Sequence, residues 1–165
     1  MSVSNVPMSP IALVATTAKS IHAVDFYSGS KILDLDTHHD RPVFSITANF
    51  GGINTPRSFE TPDLALTGGL DESFKLWDLR SARCERTMTF GSRTVKVGSC
   101  FSPDSRFVAL GSERQGIEIW DVAQGSCVAK LKDDLRGQTV TYLQWNPGNG
   151  KLYCGTEGGV IKVFS

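Results

Sequence analysis

A repeat of about 43 residues is the feature that most constrains the fold of this chain. Residues 64–84 (LALTGGLDESFKLWDLRSARC) align with residues 107–127 (FVALGSERQGIEIWDVAQGSC), and the alignment superimposes two Trp-Asp pairs and two cysteines. Weaker copies begin at residues 11 and 151, so four copies fill most of the 165 residues. A period of 20–50 residues indicates a chain assembled from structural units that bury their apolar faces against one another.

Apolar residues alternate with period two inside each copy, and glycine, asparagine, aspartate and serine interrupt them. This pattern predicts four short strands per copy, named a to d in order. Strand a is expected at residues 3–10 in the first copy and at 140–147 in the last. In strand c one polar position recurs, at His22, Lys75, Glu118 and Lys162. In strand d an apolar residue stands ten positions after the aligned aspartate, at Leu35, Met88 and Leu131.

Composition excludes several classes of function. Lys plus Arg and Asp plus Glu each total 17, so the chain has no net charge with which to hold nucleic acid or an anionic membrane. The N-terminus has no basic stretch followed by an apolar core, which favours an intracellular protein, cytoplasmic or nuclear. The four cysteines form no CxxC pair, so neither a disulfide framework nor a metal site is expected, and no cofactor is.

The repeat length, the four strands per unit and the Trp-Asp dipeptide at the end of strand c resemble the Trp-Asp (WD) repeat family. The resemblance is clearest in the second and third copies, where FSPD at 101–104 also fits. It implies an all-β fold, a β-propeller of WD-repeat type, over residues 1–165, with repeats at approximately 1–38, 39–90, 91–133 and 134–165.

Four repeats describe part of a ring, because propellers of this family usually have seven blades. The sequence stops at Ser165, directly after strand c, so the last blade is expected to lack its outer strand. We therefore expect the C-terminal part of a longer propeller or a truncated gene product. Its open ends would expose apolar faces and sheet edges, which favours self-association.

The family often carries a buried hydrogen-bonded tetrad of His, Ser or Thr, Asp and Trp. Its spacing is matched in the second repeat by His39, Thr67, Asp71 and Trp77, whereas the other repeats depart from it. The resemblance implies a structural role for these residues. The alternative is that His39 is a solvated loop histidine.

Two groups of loop residues are candidates for partner binding. An insertion at residues 51–62 carries Arg57 and Phe59, and it is either a tolerated surface loop or a partner-contacting one. A second group could bind an acidic or phosphorylated peptide: Arg41, Arg93, Arg114 and Arg136. Seven acidic residues share the loops of that group, so a mixed solvated rim is the favoured interpretation.

The resemblance implies a non-catalytic scaffold that binds other proteins. An alternative comes from Trp77-Asp78-Leu79-Arg80, since WD-repeat proteins with this ending include receptors that dock on the adaptor of cullin-RING ubiquitin ligases through the arginine. Arg80 could equally bond the next blade or turn. No enzyme activity is expected, because no serine stands on a nucleophile elbow and no glycine loop matches a phosphate-binding motif.

Overall fold

The computed structural model describes residues 11–16, 19–35, 39–49, 64–89, 97–113, 116–132, 135 and 137–165. These residues form fourteen β-strands, and no helix occurs among them. The strand predicted at residues 3–10 and the insertion at 51–62 lie outside the described residues.

The strands form four antiparallel sheets in chain order. Sheet 1 contains β1 (Ile11–Ala15), β2 (Ile21–Asp25) and β3 (Lys31–Leu35). Sheet 2 contains β4 (Val43–Asn49), β5 (Leu64–Gly69), β6 (Ser73–Asp78) and β7 (Arg83–Thr89). Sheet 3 contains β8 (Ser99–Phe101), β9 (Phe107–Gly111), β10 (Ile117–Asp121) and β11 (Ser126–Leu131). Sheet 4 contains β12 (Val140–Trp145), β13 (Leu152–Thr156) and β14 (Ile161–Phe164).

Consecutive sheets pack face to face through three apolar layers. We call the face of a sheet that is turned toward the preceding sheet its leading face, and the face that is turned toward the following sheet its trailing face. The same names are used for the equivalent faces of sheets 1 and 4. Between sheets 1 and 2 the buried residues are Ile21, Leu35, Ala65 and Trp77. Between sheets 2 and 3 they are Leu66, Phe74, Leu76, Met88, Val97, Phe101, Val108 and Leu110. Between sheets 3 and 4 they include Ile117, Ile119, Val140, Leu143, Leu152 and Cys154. Burial of one such side chain stabilises the fold by about 1.5–3 kcal/mol.

The strand register confirms the alignment of the repeats. Trp77 lies opposite Cys84 and Trp120 lies opposite Cys127, and in both sheets a β-bulge directly precedes the tryptophan. The apolar residues predicted in strand d also take their expected places, since Leu35 and Met88 are buried and Leu131 packs against the layer between sheets 3 and 4.

Strand β14 is more exposed than the third strands of the other three sheets. Ile161 and Val163 occupy the apolar positions of strand c, yet they are 79% and 45% exposed. Their side chains lie on the trailing face of sheet 4, and no further sheet covers that face among the described residues. Alternation predicted the direction of these side chains, and their exposure agrees with the apolar faces expected at the open ends.

Candidate functional site

Four side chains of the second repeat form one continuous series of hydrogen bonds. The indole Nε1 of Trp77 donates to Thr67 Oγ1 over 2.9 Å, and that oxygen lies 2.8 Å from His39 Nε2. The other ring nitrogen of His39, Nδ1, lies 2.9 Å from the nearer carboxylate oxygen of Asp71. The structure thus brings together the four residues that the family resemblance selected.

One arrangement of protons gives every group in this series a partner. A carboxylate can only accept, so Nδ1–H of His39 donates to Asp71. Nε2 of the neutral ring then accepts from the hydroxyl of Thr67, whose oxygen accepts the indole N–H of Trp77. Both nitrogens of His39 have partners within the fold, and the buried ring is out of reach of a substrate in solvent.

The electrostatics agree with a neutral imidazole beside an ionised carboxylate. His39 is 3% exposed, and this burial lowers its pKa in spite of the hydrogen bond and charge of Asp71. For Asp71, burial acts to raise the pKa, but hydrogen bonds from Ser73 and His39 outweigh it and the pKa lies below its usual value. The carboxylate also accepts the backbone N–H of Asp40 over 2.9 Å. We propose that the tetrad is structural, because it ties the segment before β4 to the β5–β6 turn and to β6.

In sheet 3, the indole N–H of Trp120 has a different kind of hydrogen-bond partner from that of Trp77. Trp120 Nε1 donates to Glu118 Oε2 over 3.0 Å, and the other carboxylate oxygen lies 2.6 Å from Lys130 Nζ. Glu118 and Lys130 are direct partners across β10 and β11, with Glu118 only 5% exposed. In sheets 1 and 2 the equivalent partners are also polar, and they bond to each other: His22 with Asp34, and Lys75 with Thr87.

These cross-strand pairs were not predicted from the sequence. Each pair is separated by twelve residues in its own repeat, and this constant spacing is the signal that would have identified them. A polar residue in strand c opposite a polar residue in strand d satisfies both groups on the same face of a sheet.

His22 also belongs to a cluster that has the components of a hydrolase triad. Its Nδ1 bonds to Asp34, and its Nε2 lies 3.0 Å from Ser20 Oγ. A working triad buries its aspartate, whereas the Asp34 side chain is 53% exposed and also pairs with Lys31 Nζ at 2.6 Å. Ser20 Oγ lies 2.6 Å from Thr16 Oγ1. The arrangement is a polar network on the leading face of sheet 1.

Thiols offer no better nucleophile. Burial raises the pKa of the Cys100 thiol to about 12, and burial also raises the pKa of Cys154 and Cys127. Thiols with raised pKa values are protonated near neutral pH and react slowly.

In the part of the chain that the structure describes, no group of three or more His, Cys, Asp or Glu side chains is placed to hold a metal ion. The same residues contain no helix long and apolar enough to cross a membrane.

Arg80 lies in the turn between β6 and β7. Its backbone N–H donates to Asp78 Oδ1 over 2.8 Å, and its side chain is 68% exposed, with Nε 3.9 Å from the same oxygen. A contact to the turn of the following sheet is made by Arg86, whose Nη2 donates to the carbonyl oxygen of Ala123. Asp78 therefore fixes the turn, and the Arg80 side chain extends from it toward solvent.

The remaining predicted binding residues are only partly described. Arg41 is exposed in the segment that leads into β4. The other five lie outside the described residues: Arg57, Phe59, Arg93, Arg114 and Arg136. The predicted group of four loop arginines and the predicted partner loop therefore stay predictions.

An open groove of about 340 Å³ lies between the first strands of sheets 2, 3 and 4. Ser45 Oγ and Ser99 Oγ lie 3.1 Å apart beside it, and Thr47 donates to the carbonyl oxygen of Ser99 over 3.1 Å. Its described lining holds hydroxyl and apolar side chains without a carboxylate, amine or imidazole: Phe44, Ser45, Thr47, Val97, Gly98, Ser99, Thr141, Tyr142 and Leu143. The groove offers a contact surface without groups for acid–base catalysis.

No protein-family model matches the chain. Curated proteins of modest sequence identity match it. The chain is 28% identical over 137 residues to the small ribosomal subunit protein RACK1 of Glycine max, a match that covers 73% of this chain and 41% of that protein. It is 27% identical over 105 residues to the nuclear distribution protein PAC1-2 of Uncinocarpus reesii, with 64% of this chain and 22% of that protein covered. The matched part is thus less than half the length of either relative.

A solved structure supports the fold. The computationally designed Ika4 protein superimposes with a TM-score of 0.71 over 93% of this chain and 84% of the designed chain, at 19% sequence identity. At this identity the likeness concerns the fold alone. Together with the four stacked antiparallel sheets and the relatives, it confirms the predicted all-β propeller class.

Proposed function

We propose that this chain, a WD-repeat β-propeller protein, acts as a non-catalytic scaffold that binds other proteins inside the cell, in the cytoplasm or nucleus. The observation that carries the proposal is that its polar clusters are bonded within the sheets, as the His39 and Glu118 networks are, while the turns at the sheet edges remain exposed. One relative is named as a small ribosomal subunit protein, which favours a role within assemblies.

Two measurements on the full chain test this role. Photo-cross-linking from the exposed turns is expected to capture protein partners, with Val128 on the outer strand of sheet 3 as a control position. A hydrolysis screen with ester, amide and phosphate substrates is expected to give no turnover that depends on Ser20. Turnover that is abolished by Ser20→Ala and by His22→Ala would overturn the non-catalytic role.

A second candidate is docking on the adaptor of a cullin-RING ubiquitin ligase through Trp77-Asp78-Leu79-Arg80. The exposure of the Arg80 side chain, 68%, favours it, because a docking arginine must reach its partner. A pull-down compares the wild-type chain with Arg80→Ala and with Arg83→Ala, a nearby exposed arginine of β7. Selective loss of the adaptor with Arg80→Ala supports docking, and equal recovery from all three chains removes it.

Self-association belongs to the same proposed interactions. Among the described residues, large apolar side chains are exposed at Val14 and Ile32 in sheet 1 and at Tyr142, Ile161 and Val163 in sheet 4. Exposed apolar patches mark contact sites between proteins.

A further inference from the structure

We propose that the β6–β7 turn of sheet 2 (residues 79–82) and the β10–β11 turn of sheet 3 (residues 122–125) form one surface that binds an acidic segment of a partner protein, and that Arg86 holds the two turns together. This inference rests on the proposed protein-binding role and names a surface, a positioning residue and the charge of the partner. It involves only sheets 2 and 3, each of which is packed against a neighbouring sheet on both faces.

The side chain of Arg86 crosses from sheet 2 to sheet 3. Arg86 lies in β7, and its Nη2 donates to the carbonyl oxygen of Ala123 in the β10–β11 turn over 2.5 Å. It passes over Gly125, where a Cβ atom would lie 2.5 Å from Nη1 and 3.0 Å from Cδ of the arginine. Gly125 also has a φ of +65°, a left-handed conformation that favours glycine. The contact of Arg86 with this turn therefore requires glycine at position 125.

The junction between sheets 1 and 2 has a different pair of residues at the equivalent places. Leu33 takes the place of Arg86, since the two residues have equivalent register positions in β3 and β7. Ala82 takes the place of Gly125, with a φ of +56°. Leu33 and Ala82 both pack against the apolar layer between sheets 1 and 2. The β10–β11 turn is thus joined to the preceding sheet by a directional hydrogen bond, whereas the β6–β7 turn is joined by apolar packing.

Each of the two turns is closed by its own aspartate. Asp78 Oδ1 accepts the N–H of Arg80 over 2.8 Å, and Asp121 Oδ1 accepts the N–H of Gln124 over 2.8 Å. These backbone hydrogen bonds are the main cause of the lowered pKa of both carboxyl groups. The side chain of Asp121 is 5% exposed and that of Asp78 is 27% exposed. The negative charges of the turns are therefore held within them, and they fix the shape of the surface before a partner binds.

The exposed side chains of this surface are cationic or neutral. Arg80 is 68% exposed, and Arg86 is also exposed. A guanidinium group has several N–H donors, so Arg86 can pair with a carboxylate while it bonds to Ala123. Ser81 and Gln124 are exposed and add neutral hydrogen-bonding groups. Because guanidinium groups pair with carboxylates through two parallel N–H bonds, charge complementarity favours an acidic segment as the partner.

Binding is measured on the full chain by the fluorescence anisotropy of a fluorescein-labelled oligoglutamate peptide. An oligolysine peptide and a single-stranded oligouridine RNA form the other arms. We expect Arg80→Gln and Arg86→Gln each to raise the Kd for oligoglutamate at least about fivefold. Arg41→Gln is the matched control, because Arg41 is an exposed arginine beside the β5–β6 turn, at the other end of sheet 2, and its loss should leave the Kd unchanged.

An exposed carboxylate next to this surface gives a test with the opposite sign. Glu85 precedes Arg86 in β7 and is exposed. Like-charge repulsion from Glu85 should weaken the binding of an acidic segment. Glu85→Gln is therefore expected to lower the Kd for oligoglutamate, by about two- to fivefold.

Gly125→Ala tests whether Arg86 acts through position, because it displaces the Arg86 side chain and leaves every charge in place. Gly29→Ala is the matched control. Gly29 stands at the equivalent place in sheet 1 with a φ of +66°, and none of the described atoms outside its chain neighbours lies within 4 Å of its Cβ position. Both variants introduce similar backbone strain. Only Gly125→Ala should raise the Kd and speed hydrogen exchange in the β10–β11 turn, each at least about threefold.

The inference would be overturned by a wild type that does not bind oligoglutamate, by a Kd that neither arginine variant changes, or by equal effects of the two glycine variants. Binding of oligolysine or the RNA as tightly as oligoglutamate would also overturn it. Circular dichroism and thermal melting establish that all variants are folded. Capture of partners by photo-cross-linking at the other exposed turns does not depend on the charge of this surface, so failure of this inference is distinguishable from failure of the scaffold role.

Discussion

Two histidines of this chain have partners of the same kind but differ in exposure. His39 bonds to Asp71 and Thr67 with a side chain that is 0% exposed, and His22 bonds to Asp34 and Ser20 with a side chain that is 28% exposed. We expect His39→Ala to lower the free energy of unfolding by roughly 1–3 kcal/mol, because it leaves buried groups without partners. His22→Ala should cost less than about 1 kcal/mol, because the contacts that it removes are partly exposed to solvent.

Urea unfolding followed by tryptophan fluorescence measures both losses. The comparison is made at low protein concentration, so that self-association does not contribute to stability. Equal losses for the two variants would show that burial of the tetrad adds nothing, and would contradict its structural role.

The buried ring of His39 also makes stability depend on pH. Its pKa in the folded chain lies below the unfolded value of 6.5, so the unfolded chain binds more protons as the pH falls. The folded state is therefore destabilised below about pH 6.5. Asp71 acts at lower pH: its pKa in the folded chain lies below the usual 3.8, and its contribution is lost as the pH falls through that lowered value.

The urea midpoint, measured between about pH 7.5 and pH 5.5, tests this linkage. The wild type should lose stability across this interval, and His39→Gln, which has no titrating ring, should lose less. A His22→Gln variant serves as the control for replacement of a histidine outside the tetrad. If the slopes of wild type and His39→Gln are equal, the neutral form of His39 does not contribute.

Where two sheets meet, one glycine permits the close approach of their strands. Gly98 stands just before β8, and its N–H donates to the carbonyl oxygen of Val140 in β12 over 3.0 Å. A Cβ atom on Gly98 would lie 2.7–2.8 Å from the backbone of Tyr142 and Leu143. We expect Gly98→Ala to destabilise the chain by about 1–3 kcal/mol, because backbone atoms in a packed layer cannot move aside.

Gly155 in β13 provides the matched control for that element. A Cβ atom there would meet nothing nearer than 3.6 Å, an ordinary contact with the Tyr142 side chain. Gly155→Ala should therefore change stability by less than about 1 kcal/mol or increase it slightly. Thermal unfolding of both variants is the measurement, and equal midpoints would contradict the role assigned to Gly98.

Strands could be predicted where the sequence pattern that indicates them lies within one repeat. Alternation and the 43-residue shift predicted that β6 and β10 are equivalent strands, and the structure adds that both tryptophans lie opposite a cysteine. Burial of the polar positions in these strands was not predictable in the same way. Lys75 and Glu118 are 8% and 5% exposed because a preceding sheet covers the leading face of sheets 2 and 3, a property that no single strand encodes.

The tetrad could be predicted more fully than the cross-strand pairs. The family resemblance supplied the pattern and the spacing of the second repeat selected its four members, since the bonds join positions that the repeat fixes relative to β5 and β6. The bond from Trp120 to Glu118 was not predicted, because the tetrad pattern contains no glutamate in strand c; the signal for it is the spacing of twelve residues between Glu118 and Lys130.

At the scale of the whole molecule, the sheets differ mainly in how many of their faces are covered. Sheets 2 and 3 have a neighbour on each side, and sheets 1 and 4 have one neighbour each among the described residues. In an architecture of stacked repeats, stability is approximately the sum of repeat terms and nearest-neighbour contacts. The outer sheets are therefore expected to open more easily than the inner ones.

Hydrogen exchange tests this expectation strand by strand. Amides of the third strands β6 and β10 should exchange at least about tenfold more slowly than those of β2 and β14. Comparison of third strands with one another holds position within the sheet constant, so the covered faces are the remaining difference. Uniform protection of all four strands would contradict the additive picture, because Ile161 and Val14 would then contribute no less than their buried equivalents.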